Sequence, residues 1–363
     1  MENKKLEYID SLRGIAILLV ILVHIPFTKG VWPAMSYFPD CVALFIGNGH
    51  LGVNLFFIVS AFTLMLSHQK RQYEDHATRN FFIRRFFRIA PMYYLAIIYF
   101  TFSSYAGFDI ANINWDNIPK KELFTNIFFI NGFFPEYIHR YVPGGWSITV
   151  EFTFYMLFPF LFSKIKNINS AFRFVLITLL FSSAMHFILK GTYADQGNFL
   201  EYYFIAQLPV FSLGMLAFFI IMGKLNIDDI KRPSICLLAA TIFIYCYIPV
   251  PYDFVYSIVF FLLLVILSQK AYRIFSNRIL AAIGKVSFSL YLMHFVMQTF
   301  FNRFDWLSWI KIDNTLTACL YYILAYICLF IASYAASILT HKFIEIPGQN
   351  LGRKLIKKLD QQK

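Results

Sequence analysis

The chain has 363 residues, of which 59% are hydrophobic, 20% aromatic and only 14% charged. A soluble globular domain carries about a quarter charged residues, so this composition excludes that class and predicts a polytopic membrane protein. The net charge of +12 then calls for no nucleic-acid partner, because basic loops on one side of a membrane account for it.

The first predicted element runs from Tyr8 to Phe27, YIDSLRGIAILLVILVHIPF. It is apolar nearly throughout, yet holds Arg13 and His24. Their separation is close to a whole number of helical turns, so both lie on one face, about 16 Å apart. Ionisable groups inside a span are costly unless their face looks into a polar cavity. Two readings stay open: a functional face, or a charge anchor plus a hydrogen-bonded packing histidine. No small-residue cleavage site follows the apolar run at 15–27, so the segment reads as a retained span and not as a signal peptide.

Further apolar runs lie near 44–66, 86–106, 145–163, 171–190, 201–222, 235–250, 254–269, 279–301 and 315–340, which makes about ten transmembrane helices in an all-α protein. With the N-terminus in the cytoplasm, the inside segments hold 24 of the 32 Lys and Arg, and the outside segments hold 7. That bias predicts both termini in the cytoplasm. The whole chain, 1–363, reads as a single transmembrane domain with spans over roughly 12–340 and a basic cytoplasmic tail over 341–363. Cys41, Cys236, Cys246, Cys319 and Cys328 show neither metal-ligand spacing nor a disulfide framework. Segment 107–144 contains LFTNIFFINGFF (123–134), apolar but too short to cross. It is expected to be re-entrant or interfacial on the outer side, with Trp115, Tyr137 and Tyr141 at the membrane surface.

Counting residues from the span ends puts His24, Asn54 and Glu151 at similar depth in the outer half of the bilayer. A lone carboxylate there is costly or protonated. A His24–Glu151 pair is one economical explanation, with the carboxylate stabilising the protonated imidazole of a general base. The other is a structural ion pair, although the count places no Lys or Arg at that depth. In FFIRRFFRIAP (81–91), Arg84 and Arg88 are one turn apart and Arg85 adjoins them. At the inner mouth of the third span this cluster is either a lipid headgroup anchor or a phosphate clamp, since guanidinium groups bind phosphate bidentately. Arg13 lies on the same side.

Six segments then resemble, in order, the membrane acyltransferase 3 family. LRGIAILLVILVH (12–24) is similar to its arginine, ten residues, histidine signature. GVNLFFIVSAF (52–62) resembles its GVDLFFVLSGF, and FFIRRFFRIAP its F-x-x-R-R-x-x-R-I-x-P. WSITVEFTFYMLFP (146–159) resembles WSLSVEEQFYLLFP, GKVSFSLYLMHF (284–295) resembles G-x-x-S-Y-x-x-Y-L-x-H, and FIEIP (343–347) resembles F-x-E-x-P. Asn54 stands where an Asp is common, and Ala61 where a Gly is common. The resemblance implies an enzyme of a bacterial inner membrane that moves an acyl group, most often acetyl, from acyl-CoA to a hydroxyl of a surface or exported carbohydrate. O-antigen, exopolysaccharide and peptidoglycan are such acceptors, and the acceptor can be lipid-linked. It places His24 and Glu151 at catalytic positions and Arg13, Arg84, Arg85 and Arg88 on the donor side. Asn54, Ser147, Tyr291 and His294 are expected to line or support the acceptor pocket, with packing an equal alternative for His294. No permanently bound cofactor and no metal is implied; acyl-CoA is a co-substrate, and membrane lipid is the remaining partner. Many family members carry a second, extracytoplasmic domain, and this chain is expected to be the membrane domain alone. The rival from another class is a secondary transporter, since intramembrane His, Glu and Arg also mark proton relays. Transporters usually show two related halves, and no such symmetry is visible. A lipid-linked glycan-processing protein without acyl chemistry leaves the arginine cluster unexplained.

Overall fold

A computed structural model describes residues 7–105, 116, 118–193, 198–223, 252–270, 272–303 and 310–361. Among them the chain is helical, without strands. The α-helices in chain order are α1 (Glu7–His24), α2 (Asp40–Gly47), α3 (Gly52–Arg71), α4 (Ala77–Tyr105), α5 (Lys120–Ile127), α6 (Gly145–Lys164) and α7 (Ile168–Tyr193). They continue with α8 (Phe199–Tyr202), α9 (Phe204–Met222), α10 (Tyr252–Gln269), α11 (Arg278–Lys285), α12 (Ser287–Phe301), α13 (Thr315–Thr340) and α14 (Ile346–Gln361).

Among the described residues seven segments are long and apolar enough to cross a membrane: Glu7–Phe27, Asp40–Arg71, Ala77–Ser104, Gly145–Lys164, Ile168–Tyr193, Phe199–Met222 and Thr315–Gln361. The expected span at 279–301 is two helices, α11 and α12, bent by 73°. The helix at 253–269 is apolar but shorter. The expected span at 235–250, with Cys236 and Cys246, lies outside the described residues, as does Trp115. The third span begins earlier than hydropathy alone suggests. The helix starts at Ala77, so the arginine cluster lies within α4 and not ahead of it. The expected tail is also helical: α13 passes through a π turn, His341–Glu345, into α14.

The chain falls into two compact units, Met1–Phe56 with Ala271–Pro347, and Phe57–Lys270 with Gly348–Lys363. In the first unit α1 packs against α11 and α12. In lipid, helices gain little from excluding water and associate by close packing, so small residues matter at their contacts. Gly14 on α1 and Gly284 on α11 make that contact. A Cβ on Gly284 would sit 1.7 Å from the Asp10 carbonyl oxygen, and one on Gly14 would sit 2.2 Å from that of Leu280. The start of α11 is fixed by Asn277, whose side chain accepts from the Ile279 and Leu280 amides at 3.0 and 2.9 Å. Asn277 is tied in turn to Ser11 of α1, whose hydroxyl donates to its carbonyl at 3.2 Å.

In the second unit α7 and α10 pack on α9, and α6 contacts both α4 and α9. The short apolar piece at 123–134 does not cross. It forms α5 and the turn Asn131–Phe133, held to α4 and α6 by side-chain amides. The Tyr93 hydroxyl donates to Asn126 at 2.7 Å, and Thr149 hydrogen bonds to Asn131. Helix α14 is amphipathic. Ile356 is buried while Arg353, Lys354, Lys357 and Lys358 face outward, and Arg79 of α4 pairs with Asp360.

Candidate active site

His24 is the last residue of α1. Pro26, two residues on, has no N–H, so the Leu22 carbonyl lacks the donor it would take from four residues ahead. The Tyr322 hydroxyl of α13 supplies one at 2.6 Å. The His24 carbonyl accepts from the Gln298 amide of α12 at 2.5 Å. The end of α1 is therefore fastened from two sides.

The imidazole of His24 is positioned by its own helix. Its Nδ1 lies 2.6 Å from the Val20 carbonyl oxygen. A carbonyl oxygen only accepts, so Nδ1 carries the hydrogen and Nε2 holds the lone pair. That is the tautomer required of a general base or nucleophile at Nε2. His294 of α12 stands beside it, with ring centroids 5.1 Å apart. His294 is fully buried, and neither ring nitrogen has a hydrogen bond. The carbonyls of Leu290 and Tyr291, one turn back, come near the ring but do not reach hydrogen-bond geometry. They could serve only its N–H; among the described residues its lone pair has no donor. The Tyr291 ring is 5.7 Å from His294 and edge-on to Phe56. So His24, Tyr291 and His294 come together in the first unit. Asn54 is buried there. Arg13 pairs with Asp10 at 3.3 Å, one turn away on α1.

Glu151 belongs to the second unit. Both hydroxyls that reach it take the same oxygen: Ser60 of α3 donates to Oε1 at 2.7 Å, and Tyr155 donates to Oε1 as well. Among the described residues Oε2 has no hydrogen-bond partner, and it is not sealed from the surface. Ser147, one turn before Glu151, is buried and its hydroxyl donates to the Gly144 carbonyl at 2.9 Å.

Two of the three arginines in the cluster point in different directions. Arg84 turns outward to Glu74 at 2.8 Å. Arg85 turns inward, its guanidinium carbon 5.6 Å from the ring centroids of both Phe81 and Tyr155. Its Nε is buried without a hydrogen bond. Arg85 is thus a cation within Coulombic range of Glu151, where depth counting found none. The reason is that α4 begins well before its apolar stretch and carries Arg85 inside. Arg88 lies one turn further along α4.

Sequence reasoning missed Ser60, Tyr155, Gln298 and Glu345. Tyr155 carried a usable signal, four residues after Glu151 on the same helical face. Glu345, in FIEIP, is 1% exposed. It accepts from Ser289 at 2.7 Å and lies 3.1 Å from His341 Nδ1. Among the described residues no group of three or more His, Cys, Asp or Glu is placed to hold a metal.

The sequence family described as an acyltransferase domain matches residues 6–342. The chain belongs to the acyltransferase 3 family. It is 26% identical, over 97% of its length, to a Staphylococcus aureus (strain COL) protein that bears the name of an O-acetyltransferase. It is also 26% identical, over 82% of its length, to the peptidoglycan O-acetyltransferase OatA of Listeria monocytogenes. A protein of Acidianus two-tailed virus, named as an acetyltransferase, is 25% identical over 80% of this chain and 82% of its own length. The chain spans 59% of the staphylococcal relative and 50% of OatA. No solved structure matches it. Five of the six family-like segments supply residues of the two clusters around His24 and Glu151, and the sixth, FIEIP, is tied through Glu345 to Ser289 of α12.

Proposed function

We propose that this acyltransferase 3 chain is a membrane-embedded O-acyltransferase that transfers an acetyl group from acetyl-CoA to a carbohydrate hydroxyl of the cell envelope. The observation that carries this reading is the tautomer of His24: Nδ1–H is spent on Val20, and Nε2 is left as a base at the fastened end of a span. The names of the relatives support acetyl as the group moved and a glycan as its acceptor.

His24 Nε2 takes the proton of the acceptor hydroxyl as that oxygen bonds to the thioester carbonyl carbon. The carbon–sulfur bond breaks, and the departing thiolate takes the proton back from His24. Glu151 balances the positive charge that the imidazole carries in the transition state. CoA is anionic, and Arg13, Arg84 and Arg88 bind its phosphates from the cytoplasmic side. Both termini lie in the cytoplasm of a bacterial inner membrane, the spans number about ten, and the acceptor enters from the outer side near segment 107–144. Tyr291, His294, Asn54 and Ser147 support the acceptor.

The test is free thiol released from acetyl-CoA by the full chain in detergent, with a glycan acceptor present. Wild type should release thiol and His24→Ala should not, at equal folding. A transporter should neither bind acetyl-CoA nor release thiol, so that pair of results would overturn the acyltransferase reading.

A further inference from the structure

Resting on the proposed acyl transfer, we propose that Tyr155, backed by Arg85, is a positioning residue that locks one oxygen of Glu151 and presents the other to the reaction. Arg85 then serves the carboxylate and not the CoA phosphates.

Glu151 is bonded asymmetrically. A carboxylate has two equivalent oxygens, each able to accept two hydrogen bonds. In Glu151 both donors, the hydroxyls of Ser60 and Tyr155, fall on Oε1. A carboxylate placed only to hold helices together would be satisfied at both oxygens, since an unmet charge in a span is costly. Leaving Oε2 open has a use if a group that arrives during the reaction bonds there. The two hydroxyls come from different helices, so Oε1 is held from two directions and the carboxylate plane cannot turn.

Arg85 adds the charge that this arrangement needs. Its guanidinium lies over the Tyr155 ring at 5.6 Å, a cation–π contact. A cation over the ring also makes the phenol hydroxyl a better donor to Oε1. Arg85 could have taken Glu151 directly as a bidentate salt bridge, but no ion pair of that kind forms among the described residues. A direct bridge would have spent Oε2. The route through Tyr155 delivers positive charge without occupying it. Arg85 is also unlike its neighbours: Arg84 is drawn outward by Glu74, whereas the Arg85 side chain is gripped between Phe81 and Tyr155 with Nε shut in. Its stem is thereby committed to the Tyr155 side of the cluster.

The experiment uses membrane vesicles of the producing cell, which supply the native acceptor, and acetyl-CoA as donor, with released thiol as readout. Tyr155→Phe removes one hydroxyl and keeps the ring under Arg85. It should lower kcat about tenfold to a hundredfold with the KM for acetyl-CoA unchanged. Arg85→Lys should do the same, with partial activity retained because lysine also stacks on aromatic rings. Adding Tyr155→Phe to Glu151→Gln should cost nothing further, since both act through one carboxylate. Normal kcat in Tyr155→Phe overturns the proposal, as does a rise in the KM for acetyl-CoA in Arg85→Lys with kcat intact, which returns Arg85 to the phosphates. Additive losses in the double variant overturn it too. If wild type releases no thiol, or His24→Ala is as active as wild type, the acyltransferase reading fails instead.

Discussion

The Nδ1–H of His24 donates to the carbonyl of Val20, its own helix four residues back, at 2.6 Å. The bond settles which nitrogen carries the hydrogen without help from a carboxylate, and leaves Nε2 for the proposed base. It also ties the ring to the helix that carries it, so the ring moves only as α1 moves.

His294 tests how much of the site is packing. Its ring is sealed, and among the described residues its nitrogens are unbonded. Each unpaired buried polar group costs about 1–3 kcal/mol, so His294→Phe should hold or raise the melting temperature in detergent. Turnover should fall nonetheless, because the ring lies 5.1 Å from His24. A destabilised His294→Phe chain would show that the ring is a structural core residue.

The end of α1 can be probed by a repair. Tyr322→Phe removes the donor to Leu22 and should destabilise by about 1–3 kcal/mol. Pro26→Ala restores an N–H that Leu22 can accept, and should recover part of that loss in the Tyr322→Phe background while costing stability nowhere else. Thermal unfolding of the four-member set measures it. No recovery would mean that Tyr322 matters through its ring alone.

The contact between α1 and α11 has no room for a methyl group. Gly284→Ala places a carbon 1.7 Å from the Asp10 oxygen, so the helices must part. Overpacking of this kind costs about 1–3 kcal/mol, read as a lower melting temperature, and thiol release should fall with it. Unchanged stability would show that the two helices are free to separate.

Donor binding should separate the arginines. Charge-assisted contacts to phosphate are worth about 1.5–3 kcal/mol, so Arg88→Ala should weaken acetyl-CoA binding roughly tenfold to a hundredfold. Arg88→Lys should recover only part. Arg84→Ala should also weaken binding, its guanidinium being shared with Glu74. Equal affinities in Arg88→Ala, Arg88→Lys and wild type would make Arg88 a headgroup anchor.

Sidedness follows from labelling. With Cys41 replaced, since it is exposed, Asp75→Cys should resist a membrane-impermeant thiol reagent added outside the cell, and Lys311→Cys should react. The opposite pattern would invert the topology and put the arginine cluster on the wrong side for CoA.

What was legible in the sequence was what periodicity and charge encode. Arg13 and His24 share α1 as their spacing implied, and 145–163 and 315–340 are helices near the expected bounds. Three things were hidden. The break between α11 and α12 falls at Val286 with no proline to announce it, and the apolar residues on either side let hydropathy run through it as one span. The inward turn of Arg85 depends on rings at Phe81 and Tyr155, one of them on another helix. The company of Glu151 depends on α3 presenting Ser60, a residue that composition treats as neutral in a span. Each is a matter of which faces meet, and a one-dimensional pattern does not record that.

Helix α1 is clamped near its start by the crowded contact of Gly14 and at its end by Tyr322 and Gln298. Neither end can slide or spin, so the interval between Arg13 and His24 is a fixed length of about 16 Å. It acts as a gauge cut to one size. Inserting one alanine between them would swing the imidazole by about 100°, whereas inserting four would nearly restore the face and lengthen the interval by about 6 Å. On the proposed mechanism, a chain altered in the second way would keep the direction of its imidazole and lose its match to the donor.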